Sequence, residues 1–170
     1  TVSRGLGDVY KRQLIGVLRW IVQLNKVDIT METSAMASMM ALPREGHLQQ
    51  AFRMFAFFKC KHNAVMVFDH TQPDLDLTLF QEEDWSSTPY GECKEEIPSN
   101  ASKPRGLGFT MRAAVDSDHA GDCTTRRSRT GFIVWLNSAP IYWYSEKQGS
   151  CETSSFSSEF VAMKQCCEYL

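Results

Sequence analysis

The sequence predicts an α+β chain: a helical N-terminal region, an acidic linker, then three antiparallel strands closed by a helix. Apolar residues recur at helical spacing through the first third of the chain. Pro73, Pro89, Pro98 and Pro104, with a run of acids, then break the periodicity. Beyond them, short β-branched and aromatic runs alternate with turn residues.

Residues 1–13 stand apart from the rest of the chain. The run Asp8-Val9-Tyr10-Lys11-Arg12-Gln13 is what the codons GAT GTG TAT AAG AGA CAG encode. That DNA matches the mosaic end of transposase-based sequencing adapters, and the run before it matches the adjoining adapter arm. Residues 1–13 are therefore expected to be translated adapter and are set aside from the fold. Residues 14–70 form the helical region. Leu14, Ile15, Val17, Leu18, Ile21, Val22 and Leu24 suit a buried amphipathic helix beginning at Leu14. Asp28 is expected to cap a second helix that runs to about Met40 and is ended by Pro43. A third is expected from Gly46 to Lys61, with Leu48, Ala51, Phe52, Phe55 and Phe58 on one face. The methionines and phenylalanines read as core packing. Val65-Met66-Val67-Phe68 reads as a short strand.

Residues 71–105 read as a linker or insertion. The alternative is a docking segment for a partner. Residues 106–170 carry the sheet. Phe109 to Asp116, Gly131 to Leu136 and Ile141 to Ser145 are the expected strands, with Asn137 to Pro140 as the turn between the last two. Serines from Ser150 to Ser158 suit the cap of a final helix. In that helix Phe160, Met163, Cys167 and Leu170 fall at helical spacing.

Net charge is −2 over 170 residues, which argues against a protein built only to coat nucleic acid. The average hides a segregation: acids dominate from Asp69 to Glu96, and Lys103, Arg105, Arg112, Arg126, Arg127 and Arg129 come after them. The 6 cysteines form no C-x-x-C pair, so free thiols in a reducing compartment are expected and a zinc site is not. No apolar run approaches the ~20 residues that cross a bilayer. A cytoplasmic or nuclear location without a membrane partner is the resulting expectation.

The sharpest chemical constellation is Asp116 with Glu159. Asp116 ends the first expected strand, and Glu159 sits in the first turn of the helix after three strands. An antiparallel meander would let that helix pack back across the sheet and bring Glu159 toward the first strand. Two carboxylates held together repel, so such pairs commonly hold a cation. Oxygen-rich sites suit Mg²⁺ or Mn²⁺, and paired metal ions clamp the oxygens of a phosphodiester displacement. The plain alternative is a pair of solvated surface acids. Arg126 and Arg127 have the chemistry to contact phosphates, or form an exposed basic turn. Trp143 reads as core, and Asp122 as part of the turn.

The blocks DSDHAGD, RRSRTGF, APIYWYSEKQ and ETSSFSSEFVAM, in this order and spacing, resemble the ribonuclease H domain of copia-type LTR retrotransposons. Upstream, LIGVLRWIVQLNKVDI and ALPREGHLQQAFRMFAFFK resemble the connection after the reverse-transcriptase palm. The resemblance covers nearly everything from Leu14 to Leu170. It implies a polyprotein fragment: the C-terminal end of the reverse transcriptase and the N-terminal half of an incomplete ribonuclease H-like fold. Asp116 matches the first-strand catalytic aspartate and Glu159 the helix glutamate. In the family both ligate Mg²⁺ while water attacks the RNA strand of an RNA–DNA hybrid.

This sequence departs from the family in what it lacks. The third acid, on the next strand, and a fourth carboxylate lie past Leu170, and the polymerase acids lie before Leu14. The expectation is that the parent is a hybrid-cutting nuclease working with the rest of its polyprotein in retroelement particles. The fragment itself is expected to be inactive, marginally stable and prone to aggregate. The alternative is a non-catalytic relic used for nucleic-acid binding or assembly.

Overall fold

The computed structural model describes residues 4–41, 44–76, 78, 84–89, 91, 96, 98–103, 105–106 and 108–170. Its helical part comprises α1 (Arg4–Leu24), a 3₁₀ turn (Val27–Ile29), α2 (Thr30–Ser38) and α3 (Glu45–Cys60). The first helix begins ten residues before Leu14, so the expected start is corrected. Nothing in the early run forces a break: it holds no proline, and each of Gly5 and Gly7 costs only about 1 kcal/mol relative to alanine.

Asp28 is not the cap of α2. It lies inside the 3₁₀ turn, and Thr30 N–H already bonds Val27 O. The turn therefore feeds straight into the helix, and α2 has no side-chain cap. Its end is a looser turn in which Met39 and Met40 donate to Met36 O and Ala37 O at 3.1 and 3.2 Å. Pro43 lies outside the described residues.

Ile15 and Leu18 of α1, Ile29, Met36 of α2, and Ala51 and Met54 of α3 make the helical core. Leu14, Val22, Phe55 and Phe58 pack around it. Phe52, expected on the core face, is 47% exposed. The face is set by Ala51 and Met54, and Phe52 lies about 100° around the helix from Ala51. Val65–Phe68 is not a strand: Val65, Val67 and Phe68 are exposed, and no strand is assigned there. Its β propensity finds no partner strand, because the three-stranded sheet is completed by other segments. Among the described residues of the linker the regular structure is a 3₁₀ turn at Trp85–Ser87.

The sheet is the expected antiparallel meander of β1 (Met111–Asp118), β2 (Arg129–Leu136) and β3 (Ala139–Lys147), in that order. Asn137, at φ 54°, turns the chain from β2 to β3. Its backbone N–H donates to Thr110 O at 2.7 Å. Its side chain accepts from Thr110 N–H and donates to His70 O, each at 2.9 Å. The register pairs Asp116 with Gly131 and Ser117 with Thr130. Alternation then gives the sheet two faces. Val115, Phe132 and Tyr144 share one, packed with Cys166 of α4 (Ser155–Cys167). Asp116, Gly131, Ile133 and Trp143 share the other, toward α2.

The final helix is capped as expected: Ser154 Oγ accepts from Ser157 N–H at 3.1 Å. Its inward face is built from small residues. Ser158, Ala162 and Cys166 are buried, while Phe160 and Met163 are more than half exposed. Small residues four apart let α4 lie close against β1 and β2, and this turns the larger apolar residues outward. On the opposite side, Trp143 Nε1–H donates to Val22 O at 3.1 Å and Arg129 Nη1 to Ser34 Oγ at 2.7 Å. The sheet is thus sandwiched between α4 and the helical region. No helix among the described residues is long and apolar enough to cross a membrane.

Candidate functional site

The end of β1 is tied to the first turn of α4 by buried hydroxyls. Ser117 Oγ donates to Ser158 Oγ at 2.9 Å, and Ser158 Oγ donates to Ser155 O at 2.7 Å. Gln148, 3% exposed, donates from Nε2 to Ser158 O at 2.9 Å and to Thr130 Oγ1 at 3.2 Å. Its backbone N–H bonds Ser128 O at 2.9 Å, and Ser128 Oγ accepts from Ala120 N–H at 3.1 Å. These bonds fix where β1 ends relative to α4. Gln148 Oε1 is buried without a hydrogen-bond partner among the described residues.

Asp116 and Glu159 each adjoin the Ser117–Ser158 pair, so the fold brings their chain segments together. Alternation turns Asp116 to the face opposite Ser117, and the helix rotates Glu159 about 100° from buried Ser158. Both acids are exposed, and no hydrogen bond or ion pair joins them. No group of three or more His, Cys, Asp or Glu able to hold a metal ion occurs among the described residues. Among the described residues no closed Mg²⁺ or Mn²⁺ site is made, and no metal-dependent step is assigned to them.

Arg126 and Arg127 occupy the turn between β1 and β2, and both are exposed. Arg126 takes a left-handed conformation at φ 56°. Asp122 organises this turn. It accepts from Thr124 N–H at 3.0 Å and Thr125 N–H at 2.7 Å, and pairs with Lys147 Nζ at 2.8 Å. The Lys147 ammonium, then the backbone donors, hold its carboxyl well below the ordinary carboxylate range. Arg126 N–H closes the loop on Asp122 O at 2.7 Å. The turn that carries the two arginines is thus rigid at its base.

A cavity of ≈ 380 Å³ opens between the sheet and the start of α2, lined in part by Asp116, Asp118, Arg129, Ile133 and Trp143. Sequence reasoning missed it. The signal available was period-two alternation: once Asp116 is on a strand, Asp118 shares its face, and the antiparallel register adds Arg129 and Gly131. Desolvation lowers the Arg129 guanidinium from its ordinary value, with Asp118 the first of the acids opposing that shift.

No family model matches the chain, and no solved structure matches it. A stretch of 106 residues, 56% of this chain, is 36% identical to secreted RxLR effector protein 161 of Plasmopara viticola and covers 75% of that protein. A stretch of 55 residues, 32% of this chain, is 38% identical to an uncharacterized mitochondrial protein of Arabidopsis thaliana, of which it spans 23%. With three quarters of the Plasmopara protein aligned, 75% at 36% identity, the chain belongs to the family of secreted RxLR effector protein 161.

Proposed function

We propose that this chain is a retroelement relic, and more finely a copia-type segment joining the end of a reverse transcriptase to the first half of a ribonuclease H domain. The partial likeness to the Arabidopsis mitochondrial protein supports the retroelement origin. The finer reading rests on the four sequence blocks and on one structural observation. The Ser117–Ser158 hydrogen bond, at 2.9 Å, holds the end of β1 against the first turn of α4, one residue from each candidate acid. On this reading the complete parent hydrolyses the RNA strand of RNA–DNA hybrids by metal-assisted phosphodiester cleavage. Asp116 and Glu159 contribute two of its carboxylates, toward Mg²⁺ or Mn²⁺. Arg126 and Arg127 contact hybrid phosphates from their exposed turn. Residues 1–13 are adapter-derived, and genomic DNA running unbroken through those codons would refute that part.

The chain alone binds hybrid without cutting it. The test is a binding titration of an RNA–DNA hybrid across a salt series. Each phosphate contact contributes roughly 0.9 to the slope of log affinity against log salt. Replacing both Arg126 and Arg127 by alanine is expected to flatten the slope by about 2. An unchanged slope, or no hybrid binding at low salt, overturns the reading.

The Plasmopara match supports a second reading, in which the chain shares the secreted-effector role named for that relative. Arg4, Arg12 and Arg105 each open an Arg-x-Leu triplet, with Gly7, Ile15 and Gly108 next in place of a second arginine. Export of a tagged copy from a host that secretes its effectors would favour this second reading. Retention, together with salt-dependent hybrid binding, would favour the first.

A further inference from the structure

We propose that the cavity between the sheet and the start of α2 binds a small organic monocation: an ammonium head on an aromatic or aliphatic body. Its ≈ 380 Å³ is within the size of small-ligand pockets. Ile133, Val27 and Met31 give it apolar walls. Gly131 adds no side chain to the floor, and a Cβ built there meets nothing nearer than backbone oxygens at 4.0 Å. Trp143 lines the cavity with its Nε1–H already bonded to Val22 O at 3.1 Å. What its indole offers a ligand is therefore π surface, which attracts cations.

The charges select the same ligand class. The ionised side chains on the cavity wall are Asp116, Asp118 and Arg129. Arg129 is register partner to Asp118, and its Nη1 is bonded to Ser34 Oγ at 2.7 Å. Asp116 faces Gly131 instead and makes no ion pair among the described residues. Two carboxylates and one guanidinium leave the wall a net charge of −1, which beside an indole and apolar walls suits a weakly hydrated organic cation. A hydrated Mg²⁺ ion would need more oxygen ligands than the wall supplies. The proposal does not depend on the retroelement reading.

The test titrates the full chain with phenethylammonium and, separately, with phenethyl alcohol, its neutral counterpart, monitoring the indole N–H of Trp143 by NMR. The ammonium is expected to give a saturable shift, and the alcohol to bind about tenfold more weakly. Asp116→Asn should remove that preference and leave the alcohol unchanged. Gly131→Val should abolish binding of both by filling the floor, with the amide spectrum of the sheet otherwise retained. If Gly131→Val unfolds the sheet, Gly131→Ala serves instead and should weaken both ligands. Equal affinity for ammonium and alcohol overturns the proposal, as does the absence of saturation or binding indifferent to the floor variants. Displacement of phenethylammonium by Mg²⁺, with Mg²⁺ alone shifting Trp143, also overturns it in favour of a metal site.

Discussion

Replacing Phe132 by alanine should melt the sheet and α4 while leaving the helical core folded. Phe132 is 3% exposed at the centre of the smaller core, where it clusters with buried Val134 and Cys166. Its ring lies 4.8 Å from that of Tyr144 at an interplanar angle of 18°, and Tyr169 and Tyr142 lie at 5.7 and 5.9 Å. Truncation of a buried phenylalanine costs about 3–5 kcal/mol, and the lost ring pairs move this case toward the upper end. A unit the size of residues 111–167 has a total stability of roughly 3–9 kcal/mol. The single change thus removes most of what holds the unit together. None of the residues of the helical core touches Phe132 as part of the same cluster. Hydrogen exchange read by mass spectrometry on separate peptides distinguishes the two units. Peptides from 111–167 should lose protection, and those from 14–60 should keep it. Equal loss in both would refute the two-core reasoning. It would mean that the links from Trp143 to Val22 and from Arg129 to Ser34 couple the units into one transition.

Other changes probe single links. Ser154→Ala removes the cap that accepts from Ser157 N–H and should cost about 1 kcal/mol by chemical denaturation, with a loss below ~0.3 counting against the cap. Asp122→Asn should destabilise at neutral pH, because the folded state favours the ionised carboxyl. The folded value lies below the ordinary 3.8, so this contribution is present above about that pH and is lost as pH falls toward the folded value. The stability gap between wild type and variant should therefore narrow below about pH 4, and a gap that widens there would contradict the Lys147 pairing. Phe160→Ser, on the outward face of α4, should change stability by less than ~0.5 kcal/mol yet reduce self-association in light scattering. A large loss of stability would mean that Phe160 is packed.

The sheet was legible because its signals are local. Each strand was found within two residues of its end, since β-branched and aromatic runs bounded by turns leave little freedom of assignment. Asn137 advertised its turn by type, and Ser154 its cap. The helical region was harder. A helix start depends on the turns it can propagate from as well as on propensity. So α1 extends back through a run that looked foreign, and α2 grows out of a 3₁₀ turn that leaves Asp28 nothing to cap. Val65–Phe68 has strand propensity but no partner strand among the described residues, a fact that lives in the tertiary structure alone. The inward face of α4 is likewise set by tertiary packing. Helical spacing picks out Phe160 and Met163, which the structure leaves more than half exposed. Close approach to the sheet instead buries the small Ser158 and Ala162.

Alternation of faces governs the candidate site as well. Asp116 and Glu159 were identified by residue type and by the topology that three antiparallel strands and a returning helix impose. That topology is present, and it delivers Ser117 and Ser158 to each other. A one-residue step along a strand reverses the face, and a one-residue step along a helix turns about 100°. The bonded serines therefore position the backbones next to the two acids, and the acids themselves face outward from the pair. Because β1 has no neighbour on its far side within this sheet, Asp116 lies on an edge strand. An added strand on that edge would cover the ground beside Asp116, and a carboxylate or phosphate ligand brought there would alter its surroundings without moving β2 or α4. The nuclease reading thus needs a contribution from outside this chain, whereas the cavity proposal needs none. That difference separates the two proposals for Asp116: on the proposed nuclease reading, hybrid cleavage is expected only with a further strand added on that edge. Binding of an organic cation should be measurable in the chain as it is.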